Sequence, residues 1–123
     1  NSFQHQELPE LEQTYDIFGD ELLQLVQLPG HAKGQLGLFV QATCGSVLLA
    51  ADGCWNTTAY KDNHPPSPLA MHLLFDNVKQ TLITLGNLHT FHKSNPDVLI
   101  IPSHCPDFAA RVEVGKPKRL ENV

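Results

Sequence analysis

The sequence has 123 residues, of which 41% are hydrophobic and 17% are charged, and this suffices for one globular domain. Its 8 Lys and Arg residues against 13 Asp and Glu residues give a net charge of −5, which disfavours nucleic acid and anionic membranes as partners. No run approaches the roughly 18 consecutive apolar residues of a membrane span, and no signal-peptide core is present. We therefore expect a soluble, cytoplasmic protein that binds neither nucleic acid nor a membrane.

The first half of the chain predicts short strands joined by tight turns. Residues 1–14 lack hydrophobic periodicity and predict a flexible arm, whereas residues 15–123 are expected to form the folded domain. Turn residues separate four β-prone runs, at 15–18, 22–28, 36–42 and 46–51. The last of these runs is apolar on both faces, which predicts a strand buried between two layers.

The second half predicts a loop, a helix and one more strand. Residues 56–68 are rich in Asn, Thr, His and Pro and predict a long irregular loop. Residues 69–89 place apolar side chains at helical spacing, with Ser67 as N-cap and Pro68 at the first helical position. A buried-type strand follows at 97–101. The fold class is α+β, with a mostly antiparallel sheet covered by a helix.

Three predicted strands are each followed directly by a side chain that can bind a metal ion. These side chains are His31, Asp52 and His104. Strand ends at one edge of a sheet converge, so the three can meet although they are distant in sequence. Imidazole and carboxylate ligands together suit zinc or a similar divalent ion. The three cysteines show no C-x-x-C spacing and suggest neither a thiolate zinc site nor a disulfide framework.

Four segments resemble, in order and spacing, the second half of a metallo-β-lactamase-fold hydrolase: Tyr15–Asp20, Leu28–Gln35, Leu48–Asp52 and Ile101–His104. The resemblance implies the C-terminal half of an αββα-type fold. It also implies two divalent metals, zinc or alternatively iron or manganese. By this resemblance His31 is the third histidine on the first metal, Asp52 bridges both metals, and His104 binds the second.

The family's His-x-His-x-Asp-His motif is absent from this sequence. That motif supplies two ligands to each metal, so this chain holds only part of the ligand set. Together with Asn1 at the first position, its absence suggests a C-terminal portion of a longer enzyme. The resemblance implies a hydrolase whose metal-bound hydroxide attacks an ester, thioester, lactone or similar bond. The 123-residue chain alone is expected to be inactive.

The family resemblance also indicates which residues contact a small-molecule substrate. Trp55, Tyr60 and the loop at 56–68 would line the pocket, and they suit an acyl or other organic group. In lactonases of this family a tyrosine often lies three residues after the bridging aspartate. Trp55 occupies that position here, and indole can donate one hydrogen bond but cannot act as an acid or base near neutral pH.

Two alternatives to a metal-dependent hydrolase stay open. The same half-fold could serve as a non-catalytic binding or assembly module, and Cys105 could act as a thiol nucleophile. Because half of such a fold leaves an apolar sheet face exposed, we also expect a homodimer that forms through this face. The remaining histidines of the folded part are predicted to be solvated or packed: His64, His72, His89 and His92.

Overall fold

The protein's structure, a computed structural model, describes residues 8–106 and residue 108. One sheet contains five strands in their sequence order. The strands are β1 (Thr14–Asp16), β2 (Leu23–Gln27), β3 (Leu36–Ala42), β4 (Gly45–Ala51) and β5 (Leu99–Pro102). Three helices lie between β4 and β5: α1 (Thr57–Lys61), α2 (Pro68–Leu74) and α3 (Val78–Ser94). Strands β1 to β4 pair antiparallel and β5 pairs parallel to β4, which confirms the α+β class and the mostly antiparallel sheet.

Local side-chain chemistry explains the first turn of the sheet. The Asp16 carboxylate accepts hydrogen bonds from the N–H groups of Phe18, Gly19 and Glu21, at 3.2, 3.0 and 2.8 Å. Aspartate stabilises turns in this way because its short side chain reaches backbone N–H groups a few residues further on. The turn therefore fixes the pairing of β1 with β2.

The hydrophobic core lies between one face of the sheet and α3. Phe39 of β3 meets Phe91 of α3 edge to face, with ring centroids 6.5 Å apart, and both side chains are fully buried. Leu48 and Ile100 extend this buried face across β4 and β5, while Leu88 covers it from α3. Aromatic and aliphatic burial of this kind contributes roughly 1.5–3 kcal/mol for each large side chain.

The opposite face of the sheet carries two rows of aliphatic side chains, which we call the open face. One row pairs Leu23, Val40, Val47 and Leu99, and the other pairs Leu25, Leu38, Leu49 and Ile101. All eight side chains keep some exposure, and Leu49 is 41% exposed. The prediction that β4 is buried between two layers is therefore wrong for the part of the chain that the structure describes.

The predicted single helix at 69–89 is two helices. Its start is confirmed, since the Ser67 hydroxyl accepts a hydrogen bond from the N–H of Ala70 and Pro68 is the first helical residue. Helix α2 ends at an extended Phe75, and α3 begins after Asn77, whose side chain accepts from the N–H of Gln80 at 3.0 Å. The predicted loop at 56–68 also contains the short helix α1.

The predicted arm at 1–14 is packed where the structure describes it. Residues 1–7 lie outside the described residues. Leu8 and Leu11 are buried in the hydrophobic core, at 7% and 5% exposure, and Thr14 begins β1. The residues between and around the two leucines are polar or proline, so the sequence predicts no element here and only tertiary packing reveals the leucines as core. None of the helices that the structure describes has the length and apolar character needed to cross a membrane.

Candidate functional site

The structure brings His31, Asp52 and His104 together at one edge of the sheet. Parallel β4 and β5 end side by side, so Asp52 and His104 follow neighbouring strand ends. His104 Nε2 lies 3.2 Å from Asp52 Oδ1, and His31 Nε2 lies 3.9 Å from Asp52 Oδ2. Each imidazole therefore faces a different oxygen of the same carboxylate.

The turn that carries His31 is fixed to the beginning of α3. The carbonyl oxygens of Gly30 and His31 accept hydrogen bonds from the N–H groups of Asn77 and Asp76, at 2.9 and 3.1 Å. Gly30 has φ +134°, and a Cβ atom there would lie 2.5 Å from the Cα and N atoms of Thr81. Only glycine fits this close approach, so the turn and the helix form one rigid support for His31.

The backbone at Asp52 is held by groups from two neighbouring segments. The Ser103 N–H donates to the Ala51 carbonyl at 3.0 Å, which joins the two strand ends. With its amide oriented so that the oxygen faces these donors, Gln35 accepts from the N–H groups of Asp52 and Gly53 at 2.8 and 2.6 Å. Ala51 adopts φ +47°, a left-handed conformation that turns the chain immediately before Asp52.

The polar atoms of this site fit a cation. Asp52 Oδ1 and His31 Nδ1 are buried and make no hydrogen bond of suitable geometry among the described residues, although His104 Nε2 lies 3.2 Å from Oδ1. Zinc–ligand distances of about 2.0–2.2 Å place two ligands of one ion roughly 3–4 Å apart. Both imidazole–carboxylate distances agree with that spacing.

The donors do not surround a single point. Within residues 8–106 and 108, no group of three His, Cys, Asp or Glu side chains is arranged to hold one metal ion. Two pairs are present instead, one for each oxygen of Asp52. The arrangement therefore suits a carboxylate that lies between two cation positions, each of which needs further ligands.

An aromatic wall borders His31. The Phe75 ring meets the imidazole edge to face at 4.8 Å, and the Trp55 ring lies 6.4 Å from His31 and 5.2 Å from Phe75. Trp55 is among the residues that the sequence analysis assigned to the substrate. Phe75 was missed because its apolar side chain fits the helical spacing of its neighbours, and only the break between α2 and α3 turns it toward His31.

Comparisons with known proteins identify the fold. No protein-family model and no curated protein matches this sequence. An N-acyl homoserine lactone hydrolase with N-hexanoyl-L-homoserine at its catalytic metal centre is similar in structure, with a TM-score of 0.64 and 22% identity. A variant of AiiA from B. thuringiensis with N-decanoyl-L-homoserine at its active site gives the same TM-score and identity. Both matches cover 82% of this chain and 37% of the neighbour. The chain has the fold of one part of a metallo-β-lactamase-fold enzyme.

This metallo-β-lactamase-like chain spans little more than a third of the length of these neighbours. A quorum-quenching N-acyl homoserine lactone hydrolase shows the same relation, with a TM-score of 0.62 over 80% of this chain and 37% of its own. The resemblance drawn from the sequence motifs is thus confirmed at the level of fold. The roles of His31, Asp52 and His104 as ligands stay predictions.

Tyr60 does not join the other site residues at the surface. Its side chain is 3% exposed and packs in the hydrophobic core, with its ring 5.2 Å from that of His92. Burial raises the pKa of Tyr60 to about 12, and the nearby thiols of Cys54 and Cys105 add to the shift. A side chain so enclosed offers little surface to a substrate, and we therefore exclude Tyr60 from the candidate site.

The cysteines near the site are packed residues. Cys105 is 4% exposed, and its Sγ lies 3.2 Å from the Thr57 hydroxyl oxygen. Cys54 is 5% exposed, and burial raises its pKa to about 12. Because an enclosed thiol is poorly accessible to a substrate, the structure does not support the alternative of a Cys105 nucleophile.

Proposed function

We propose that this chain is the metal-binding C-terminal part of a metal-dependent hydrolase that cleaves an ester, thioester, lactone or similar bond. The observation that carries this proposal is the Asp52 carboxylate, which lies between two imidazoles and has one buried oxygen that makes no hydrogen bond of suitable geometry among the described residues. The fold shared with an N-acyl homoserine lactone hydrolase that has a catalytic metal centre supports it.

In this proposal His31, Asp52 and His104 hold two divalent ions, with Asp52 between them. Zinc fits the imidazole donors, and iron or manganese would also accept a bridging carboxylate. Such ions, when bound, activate water and polarise the substrate carbonyl. The side-chain oxygen of Gln35 orients Asp52 by accepting a hydrogen bond from the backbone N–H group of Asp52. Three side chains are too few for a two-metal centre, so we expect the 123-residue chain to be inactive without further ligands.

The aromatic wall supports a substrate with an apolar part. Trp55 and Phe75 offer ring faces beside His31, where an acyl or other organic group can pack. Trp55 can also donate one hydrogen bond through its indole N–H. The similar structures contain N-acyl homoserines, which have such an apolar chain.

Zinc titration of the 123-residue chain tests the ligand assignment. Trp55 is the single tryptophan, and its ring lies 6.4 Å from that of His31, so its fluorescence reports on binding there. We expect Asp52→Asn to weaken zinc binding by at least about tenfold. The exposed Asp62→Asn serves as the matched control and should leave binding unchanged. Equal affinities in the two variants would contradict the assignment.

Hydrolysis assays test the reaction separately. A longer chain that has this sequence as its C-terminal part should hydrolyse lactones or thioesters and should lose activity with chelators, whereas the 123-residue chain should be inactive. His104→Ala in the longer chain should abolish turnover, while the exposed His72→Ala should retain it. Activity that survives both chelation and His104→Ala would refute a metal-dependent mechanism.

A second candidate function, an assembly module, is favoured by the open face. This face joins two rows of aliphatic side chains, contains no charged residue, and can meet a second copy of itself without like-charge repulsion. We propose that the open face of a second copy of this chain packs on it and forms a homodimer. Light scattering should show a dimer at high micromolar concentration, a monomer for Leu49→Glu, and a dimer for the exposed control Leu73→Glu. A monomeric parent chain would contradict this.

For location we propose the cytoplasm. No disulfide joins the three cysteines, and Cys44 is an exposed thiol, which suits a reducing compartment. Fractionation of cells that express the chain, with compartment markers, tests this proposal. Recovery with secreted or periplasmic markers would overturn it.

A further inference from the structure

A cavity of about 330 Å³ lies at the other end of β4 and β5, and we call it the second cavity. It opens where these strands begin, and its lining includes Ser46 and Leu99. Asp52 and His104 follow the strand ends instead. Because a strand rises about 3.3 Å per residue, the seven-residue β4 separates the two sites by about 20 Å. The second cavity is therefore distinct from the candidate metal centre.

Basic side chains from two helices meet in the second cavity. Lys61 ends α1 and His92 lies on α3, and both side chains line the cavity. Burial lowers the pKa of His92, and the charges of Lys61 and His89 lower it further. No ion pair of Lys61 is found among the described residues. The positive charge of Lys61 therefore lacks a fixed counter-charge within this part of the chain.

His92 adds an unsatisfied polar atom to this charge. Its Nδ1 is buried without a hydrogen-bond partner among the described residues, although burying a polar group without a partner is unfavourable. An acceptor that entered the cavity could remove this cost. Asp97 also lines the cavity and is exposed, as Lys61 is, but the two make no ion pair among the described residues; Cys44 is an exposed thiol.

The remaining walls decide which anion fits. Pro96 and Leu99 are the accessible apolar residues of the lining, so the cavity offers an apolar part beside its two basic groups. We propose that the second cavity binds a small organic carboxylate, with its carboxylate at Lys61 and His92 and its aliphatic part against these apolar side chains. This site is independent of the proposed hydrolase.

Binding of a carboxylate in the second cavity should depend on pH. A bound carboxylate favours the protonated imidazole of His92, so binding should strengthen as the pH falls from about 8 to about 6. The groups that face His92 are Lys61 and Tyr60 from α1, His89 from α3, and Asp97 and Cys44 at the cavity rim. Of these, Lys61 supplies the permanent positive charge.

Titration of the 123-residue chain with butyrate tests the proposal, with the His92 ring signals followed by NMR. We expect saturable shifts of His92, a raised His92 pKa in the complex, and about a tenfold loss of affinity in Lys61→Gln. Lys61→Arg should retain binding, as should the control Lys79→Gln, which changes an exposed lysine of α3 outside the cavity lining.

Several results would overturn the second site. Equal butyrate affinities for Lys61→Gln and Lys79→Gln would show that Lys61 does not hold the carboxylate. Tighter binding of inorganic phosphate than of butyrate would contradict an organic ligand. Asp52→Asn should leave butyrate binding unchanged, so a loss in that variant would place the ligand at the candidate metal centre instead. Far-UV circular dichroism confirms that each variant is folded.

Discussion

Replacement of Gly30 by alanine tests whether the close approach of the His31 turn to α3 supports the fold. The added Cβ would lie 2.5 Å from three atoms of Thr81, two of them in the backbone, so the helix or the turn must move. Overpacking of this kind costs about 1–3 kcal/mol, and φ +134° adds backbone strain of about 1–3 kcal/mol. We expect Gly30→Ala to lower the free energy of unfolding by about 3 kcal/mol or more.

Gly34→Ala is the matched control for this experiment. Gly34 also has a positive φ, of +74°, but no atom lies within 4 Å of its added Cβ. It should cost only about 1 kcal/mol. Urea unfolding followed by Trp55 fluorescence measures both values. If the two variants lose the same stability, within about 0.5 kcal/mol, the contact with Thr81 does not constrain the turn.

Two further predictions concern groups beside the site. Gln35→Leu removes the acceptor shared by the N–H groups of Asp52 and Gly53 and should cost about 1–3 kcal/mol in urea unfolding, whereas Gln35→Glu keeps an acceptor and should recover most of it. No difference between the two variants would contradict this role. Burial raises the pKa of Cys54 from 9.0 to about 12, so the folded state disfavours the thiolate. Stability should therefore be intact below pH 9.0 and fall by up to about 4 kcal/mol as the pH rises toward 12. Cys54→Ala should reduce this alkaline slope, to which Tyr60 also contributes above pH 10.0, and Cys44→Ala should not; an unchanged slope in Cys54→Ala would refute the assignment.

The strands of the sheet could be predicted because local chemistry determines them. Runs of β-prone residues end at turns such as the one that Asp16 closes with its own carboxylate, and no distant group is needed. The convergence of Asp52 and His104 was also predictable, since both follow strand ends that a parallel pair must bring to one edge. A sequence pattern does not show which side chains of a predicted loop point into the core. Tyr60 lies in such a loop and packs inward.

The division of the predicted helix has a tertiary cause. Leu74, Phe75 and Val78 continue the helical spacing of apolar residues, so the sequence pattern shows no interruption. The interruption occurs because the N–H groups of Asp76 and Asn77 donate to the carbonyls of the His31 turn. That partner is distant in sequence. These two backbone hydrogen bonds, which the sequence pattern does not predict, also place Phe75 beside His31.

Gln35 shows a second reason why a sequence pattern does not reveal every residue that shapes the site. It lies in a segment that carries the family resemblance, yet its amide acts on backbone N–H groups of Asp52 and Gly53 rather than on side chains. Such contacts leave no signature in residue type, because any suitably placed acceptor could make them. Only the antiparallel pairing of β2 and β3, with the turn between them, brings this amide to the end of β4.

The connection between β4 and β5 has a consequence for the order of folding. Strands β2 to β4 are neighbours in sequence and can pair early through short loops, which would bring the His31 turn near Asp52. β5 joins them only after a chain segment of about 50 residues has closed, and closing long loops slows folding. His104 would thus arrive last.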